Sequence, residues 1–313
     1  MTQLPQVITD DVLSDNLIEL LAGKIERLPW ATLDGGRDET VDGILTFGHM
    51  LVTAEHMANF PNLKVVSNYG VGVDHIDVEA ARRLNIPVGN THHVLNGTTA
   101  DQAMTLLLAA GRRLREGDIY ARSPEFTYFD PAHMLGTEIH HQTVGIIGLG
   151  GIGYQIARRC AAFDMNILYH KRTPLADNPD HLNLTYVSLD ELLQQSDFVV
   201  CICPLTEETN GLIGKEEFAK MKNSAVLINV ARGPVVDTAA LTEALQEGEI
   251  YAAGLDVTDP EPLPRDHPLL SLDNVTIAPH LGSATMQTRR KMAEISVENL
   301  LLGLEDQTLL HSV

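Results

Sequence analysis

The sequence predicts an α/β fold built on parallel sheets, and three observations carry that reading. Strand-like apolar runs alternate with helix-like stretches throughout the chain. They fall into two series, and 313 residues with 44% hydrophobic content can bury a sizeable core and suit two domains better than one. In the stretch TVGIIGLGGIGYQIARR, Thr143 to Arg159, small and β-branched apolar residues lead into glycines and then into a helical pattern.

The first series runs PQVITD, a helical pattern from Asp11 to Leu21, DGILTFG, NLKVVSNYG, the helical VEAARRLN and IPVGN, ending near Asn90. TTADQAMTLLLAAGRRLREG, from Thr98, has helical apolar spacing with two threonines at its start, and would carry the chain from one domain into the next. DIYARSPEFTYFDPAHMLGTEIHHQ comes after it, too long and too aromatic for a plain turn. The second series takes TVGIIG, NILYH, DFVVCIC, AVLINVA, AAGLDV and NVTIAPH as strands, with helical stretches between most of them. Ser188-Leu-Asp-Glu191 is a capping-box pattern that starts one of those helices. A last helical segment, TRRKMAEISVENLLLG, would return to the first domain, so that the termini share it.

Composition removes several function classes. With 22 basic against 42 acidic residues the formal charge is −20, which repels nucleic acid and anionic lipid. The beginning, MTQLPQVITDD, has neither a basic n-region nor an apolar h-region, and no apolar run reaches the ~20 residues of a membrane span, so a cytoplasmic protein is expected. The three cysteines, Cys160, Cys201 and Cys203, lack zinc spacing and read as buried reduced thiols. No metal site is expected.

Gly148, Gly150 and Gly153 form G-x-G-x-x-G between a strand and a helix. Such glycines serve a tight turn, close approach of a pyrophosphate to the backbone, and tight packing of helix on sheet, while helix N-terminal amides face the phosphates. The alternative is a structural glycine turn, and the strand-loop-helix-strand setting favours a dinucleotide. The next strand, NILYH, should end beside the adenosine ribose, where NAD binders usually carry an acidic residue. Here His170-Lys171-Arg172-Thr173 stands instead. Two cations and a hydroxyl suit a 2′-phosphate, so NADPH is favoured over NADH, with a solvated basic face as the alternative.

Ligands of doubly wound sheets bind at the carboxyl ends of the strands. AVLINVA is followed by Arg232, AAGLDV by Glu261 in DPEP, and NVTIAP by His280. Hydride transfer to a carbonyl needs a proton donor, which histidine supplies, and a carboxylate on the other ring nitrogen would hold the tautomer and favour the protonated ring. Arginine supplies a bidentate clamp for an acid substrate. Singly, each has a structural reading: a strand-end histidine, a loop carboxylate between prolines, a helix cap.

Together, GLGGIG, PLTEETNGLI, NVARGPVVD, AAGLDVTDPEPLP and APHLGSAT resemble the D-isomer-specific 2-hydroxyacid dehydrogenases, most closely the glyoxylate/hydroxypyruvate reductase branch, and NYGVGVDHID and NIPVGNT extend the resemblance over nearly the whole chain. It implies two doubly wound, Rossmann-like domains with a cleft between them. The substrate-binding domain would be 1–97 with 287–313, and the dinucleotide-binding domain, 98–286, would be inserted in it. It implies His280 as acid/base, Glu261 as its partner, Arg232 as the clamp, and Val71 and Gly72 as amide donors to the substrate carboxylate, with Ser283 also near substrate. On the cofactor side it implies Gly151, Ile152 and Gly153 at the pyrophosphate, with Gly148 and Gly150 completing the loop. Lys171, Arg172 and Thr173 would lie at the ribose phosphate, Pro204 and Thr209 in the loop after the third strand, and Val230 before the arginine. Asp256 would lie near the nicotinamide amide, and Gly282 would come after the histidine. A homodimer through the cofactor domain is expected, with EFTYF contributing.

The function implied is NADPH-dependent reduction of small 2-oxo acids, hydroxypyruvate and glyoxylate, to D-2-hydroxy acids. A 2-ketogluconate reductase is the rival within the family, and a non-catalytic nucleotide sensor like the C-terminal-binding corepressors is the rival of another class. One departure stands out: His92-His93 replaces the Pro-Gly common after NT in relatives. As a metal pair the two are poor, since neighbours on an extended strand point to opposite faces. A role in substrate choice and a plain surface or hinge role are both open.

Overall fold

The computed structural model describes residues 3–48 and 50–313; Met1 and Thr2, the first residues of the segment inspected for a leader, lie outside them. The chain forms two compact units, Met1–Leu95 with Thr285–Val313, and Asn96–Ala284. Among the described residues no helix is long and apolar enough to cross a membrane.

In the first unit β1 (Gln6–Thr9), β2 (Glu26–Leu28), β3 (Val41–Thr46), β4 (Val65–Asn68) and β5 (Val88–Gly89) make a parallel sheet in the order β2-β1-β3-β4-β5. Helices α1 (Asp15–Leu21), α2 (Ala54–Ala58) and α3 (Val78–Arg83) lie between them in the chain. Ile8, Ile44 and Val66 from the strands pack with Trp30, Met57 and Phe60. The C-terminal helix, Met286–Leu304, belongs to this unit and lies against α1, β3, β4 and β5.

The second unit holds α4 (Asn96–Gly111), α5 (Leu114–Arg122), β6 (Thr143–Ile147), α6 (Gly151–Ala161), β7 (Asn166–His170), β8 (Leu184–Tyr186) and α7 (Leu189–Gln195). It continues with β9 (Phe198–Cys201), α8 (Lys215–Phe218), β10 (Val226–Asn229), α9 (Thr238–Glu247), β11 (Ala252–Leu255) and β12 (Val275–Ile277). The seven strands are parallel in the order β12-β11-β10-β9-β6-β7-β8, so the strand order reverses between β6 and β9. Phe198 and Val200 face one core, with Leu106, Leu107 and Ile156, while Val199 and Cys201 face the other, with Leu192 and Leu227. Cover on both faces is why FVVC, and VLIN up to Asn229 at its carboxyl end, are apolar. Burial pushes the Cys160 thiol up to about 12 and the Cys203 thiol up to about 11, and raises Cys201 well above the usual range, so all three stay protonated thiols.

Three local differences from the sequence reading have physical causes. Helix α1 opens at Asp15 rather than Asp11, because the Ser14 hydroxyl caps it by accepting from the Leu17 amide while the carboxylates of Asp10 and Asp11 accept from the Phe47 and Trp30 amides. Helix α4 opens at Asn96, which places Thr98 and Thr99 inside its first turn. The strands β2 and β8 have no counterpart in the sequence reading: each is a three-residue edge strand with little buried surface, and such strands carry no hydrophobic pattern. The Ser188–Glu191 capping box is formed, with the Glu191 amide donating to the Ser188 hydroxyl at 3.2 Å and the Ser188 amide to the Glu191 carboxylate at 3.0 Å.

One buried amide ties the first unit together. Asn299, on the C-terminal helix and 0% exposed, donates to the Asn90 carbonyl at 3.1 Å and accepts from the Leu310 and His311 amides at 2.9 and 3.3 Å. The tail is thereby laid beside β5, where the Asn90 amide reaches the His311 carbonyl and Val313 reaches the Val88 carbonyl. Asn299→Ala leaves buried backbone groups without this partner and opens a void, so it should lower stability by about 2–4 kcal/mol. Urea denaturation checks it, and a change below about 0.5 kcal/mol would show that the amide holds nothing.

Candidate active site

The glycine loop sits where the strand order reverses, between the carboxyl end of β6 and the start of α6. Gly148 has φ +100°, and a Cβ there would lie 2.7 Å from the Cys203 nitrogen; a Cβ on Gly153 would lie 2.2 Å from the Gly148 carbonyl oxygen. Only glycine permits both the turn and the contact of helix with loop. At Gly150, by contrast, a Cβ would meet nothing within 4 Å, and this residue caps α6 without a side-chain hydrogen bond. The open space therefore fronts uncapped helix amides and the positive end of the helix dipole, which fits a dinucleotide pyrophosphate.

Around that loop the expected cofactor residues take distinct places. Lys171 comes just after β7 and its ammonium reaches the Leu149 carbonyl at 3.5 Å. Thr209 closes its own loop, its hydroxyl donating to the Pro204 carbonyl at 2.7 Å and accepting from the Thr206 amide at 2.8 Å. Hydrogen bonds from the Thr206 hydroxyl and its own backbone hold the Glu208 carboxyl below its ordinary range, and the Arg172 charge adds to this, so the loop carries an acid toward the basic cluster. Val230 is buried, its amide donating to the Cys201 carbonyl at the base of the loop.

Arg232, Glu261 and His280 lie beyond β10, β11 and β12, three adjacent strands. The Asn229 side chain shapes the turn at Arg232, accepting from the Ala231 amide at 3.1 Å and donating to the Arg232 carbonyl at 3.0 Å. His280 Nδ1 lies 2.8 Å from Glu261 Oε1, with both side chains partly open to solvent. The pair fixes which ring nitrogen faces the carboxylate, and so turns Nε2 toward the other side. His280 itself is held in a left-handed conformation, φ +57°. Its amide and the next two all end on Asp256: His280 on the main-chain carbonyl, Leu281 on Oδ1 and Gly282 on Oδ2, each at 2.8 Å. Asp256 is thus 2% exposed and engaged with protein amides, and Gln102 of α4 donates to its Oδ1 at 3.0 Å. Ser283, next in line, is buried.

In the first unit the expected amide donors sit on a loop after β4. The Gly70 carbonyl accepts from Thr91 N and Asn68 Nδ2, the Val71 carbonyl from Asn90 Nδ2, and the Gly72 carbonyl from Asn68 Nδ2. In a trans peptide the N–H opposes the preceding C=O, so the Val71 and Gly72 amides point away from the groups that hold Gly70 and Val71. Sequence reasoning misses Asn68 and Asn90, both buried, and also Gln102, because their partners are set by the fold and their flanking residues carry no pattern that marks them.

His92 and His93 correct the expectation of an extended segment. Residues 92–95 form a turn, His93 has φ +70°, and the two rings lie 4.2 Å apart edge to face instead of on opposite faces. His311 lies 6.1 Å beyond, and burial together with the two neighbouring imidazoles holds His92 below its ordinary range. Among the described residues no group of three or more His, Cys, Asp or Glu is placed to hold a metal ion.

Comparison with known proteins points the same way. Residues 104–282 match the family described as D-isomer specific 2-hydroxyacid dehydrogenase, NAD binding domain. The chain is 43% identical over 310 residues to a glyoxylate reductase of Thermococcus onnurineus, covering 95% of this chain and 92% of that one. It is 42% identical over 311 residues to glyoxylate/hydroxypyruvate reductase B of Klebsiella pneumoniae, covering 96% and 95%. Among solved structures, the NADPH-dependent glyoxylate/hydroxypyruvate reductase of Sinorhizobium meliloti, in complex with NADP and malonate, superposes with a TM-score of 0.89 at 34% identity, over 99% of this chain and 96% of that one.

Proposed function

The chain belongs to the D-isomer-specific 2-hydroxyacid dehydrogenase family, which makes it an NAD(P)-dependent oxidoreductase, and from that premise we propose that it reduces small 2-oxo acids, hydroxypyruvate and glyoxylate, with NADPH. Products are D-2-hydroxy acids where they are chiral. The observation that carries this reading is the 2.8 Å pair of His280 and Glu261 on the sheet edge that also bears the glycine loop. Relatives named for the same two substrates support it.

A bound reduced nicotinamide supplies hydride to the carbonyl carbon. His280, as the imidazolium, gives its Nε2 proton to the carbonyl oxygen, while Glu261 on Nδ1 holds the ring in place. Arg232 grips the substrate carboxylate and polarises the carbonyl, and the Val71 and Gly72 amides are assigned to the same carboxylate. Gly148, Gly150, Gly151, Ile152 and Gly153 hold the pyrophosphate. Pro204, Thr209, Val230, Asp256 and Gly282 line the rest of the cofactor site, and Ser283 stands beside the substrate.

The preference for NADPH rests on Lys171, Arg172 and Thr173 at the position where an NAD binder carries a carboxylate. It is supported by the relative from Sinorhizobium meliloti, which is named NADPH-dependent. The 1–97 and 287–313 segments serve substrate, and 98–286 the dinucleotide. We further infer a homodimer: Phe126, Tyr128 and Phe129, 49%, 69% and 80% exposed in one irregular stretch, need cover that a second copy would give. Light scattering should read twice the 34.2 kDa chain mass; a monomer would overturn the assignment.

Arg172→Ala should raise KM for NADPH by about one to three orders of magnitude and leave NADH nearly unaffected. Equal weakening of both would remove the 2′-phosphate assignment. His280→Ala should lower kcat by about 10²- to 10⁴-fold with NADPH binding, read by fluorescence, little changed. Glu261→Gln, which removes the charge but keeps a side chain beside Nδ1, should lower kcat with NADPH binding little changed. A folded His280→Ala protein with native kcat would sink the mechanism.

A further inference from the structure

Asp256 is a buried carboxylate whose three side-chain hydrogen bonds come from neutral donors: the Leu281 and Gly282 amides and the Gln102 side chain. A carboxylate out of water stays ionised only through such donors. Two of them belong to the turn that Asp256 organises, and its main-chain carbonyl takes the His280 amide as well. The contact from another element is Gln102, at 3.0 Å from Oδ1, on α4, whose neighbouring Ala103, Leu106 and Ala110 are buried in the apolar core.

We propose that Gln102 is a positioning residue for the reaction. Its amide keeps the Asp256 carboxylate aimed, and Asp256 in turn fixes the three consecutive amides of residues 280–282. Those bonds hold His280 at its positive φ, from which the ring meets Glu261. The inference rests on the proposed role of His280 as the acid. The second oxygen of Asp256 lies on Gly282, where a Cβ would sit 3.1 Å from Oδ2 and 3.3 Å from Thr99 Cγ2, so the turn has little room to relax without letting go of the carboxylate.

Oδ1 of Asp256 accepts from both Gln102 and Leu281, so the carboxylate is held between α4 and the turn. Without the Gln102 donor it is free to rotate, and the amides of Leu281 and Gly282 lose the acceptor geometry that fixes them.

The test uses the whole chain with Gln102→Met, which keeps length but loses the donor, and Gln102→Lys, which replaces it with a charged one. In hydroxypyruvate reduction kcat should fall about tenfold for Gln102→Met and less for Gln102→Lys, which still donates, while KM for hydroxypyruvate changes little. Amide hydrogen exchange at Leu281 and Gly282, read without cofactor or substrate, should be about tenfold faster in Gln102→Met. Native kcat and native exchange in both variants, with only a lowered melting temperature, would reduce Gln102 to packing and overturn the proposal. His280→Ala run beside them separates the two ideas: native turnover there removes the acid assignment, while the exchange result still decides the link from Gln102 to Asp256.

Discussion

In a parallel sheet all strands run one way, so every connection leaves from one edge, and that single constraint arranges the chemistry of the second unit. The glycine loop leaves β6, the basic cluster leaves β7, and Arg232, Glu261 and His280 leave β10, β11 and β12. Residues scattered from Gly148 to Ser283 in sequence reach one rim because the chain must return to the opposite edge before each new strand. Reversal of strand order between β6 and β9 then separates the two crossovers that would otherwise cover the rim, leaving room in front of the α6 amides. The apolar runs in β9 and β10 have the same origin, since helices on both faces leave no polar side.

A rim built from loops needs rigid loops, and the chain meets that need with buried amide and carboxylate side chains instead of hydrophobic packing. Asn229 shapes the Arg232 turn, Asp256 holds residues 280–282, and in the first unit Asn68 and Asn90 take the carbonyls of residues 70–72. Each is a short polar group that satisfies several backbone positions at once. Burial strengthens these bonds and makes their loss costly, which is what keeps a functional loop in one conformation. The asparagines are neutral and can be buried at modest cost, whereas a buried carboxyl group such as that of Asp256 depends on the donors around it.

How much of the fold and site is legible in the sequence depends on how local each signal is. The spacing of Gly148, Gly150 and Gly153, the Ser188–Glu191 box and the apolar runs of β6, β9 and β10 are short-range patterns with one physical cause each, and they can be read directly. Edge strands β2 and β8 bury too little to leave a pattern. The start of α1 is displaced from its sequence expectation because Asp10 and Asp11 bond to Phe47 and Trp30, partners that no local window contains. The turn at His92-His93 is hidden for a similar reason: the positive φ of His93 is not encoded by a glycine or asparagine. Arg232, Glu261 and His280 stand out by their positions just past the strand ends, but Gln102 does not, because it acts through a residue more than 150 positions away.

Charge sharpens the reading of the cationic residues. At −20 the chain as a whole repels the anions proposed as its cofactor and substrate, and that field is screened over a Debye length of about 8 Å at physiological salt. Attraction must therefore be local, from groups that contact the ligand. The acid Glu208 beside Arg172 makes this more demanding, because the guanidinium already shares its field with a neighbour. A planar fork offering paired hydrogen bonds keeps its advantage at contact distance where a diffuse positive surface would not. In such an acidic chain, the selectivity proposed for a dianionic 2′-phosphate would be a matter of hydrogen-bond geometry at Lys171, Arg172 and Thr173, not of overall electrostatic attraction.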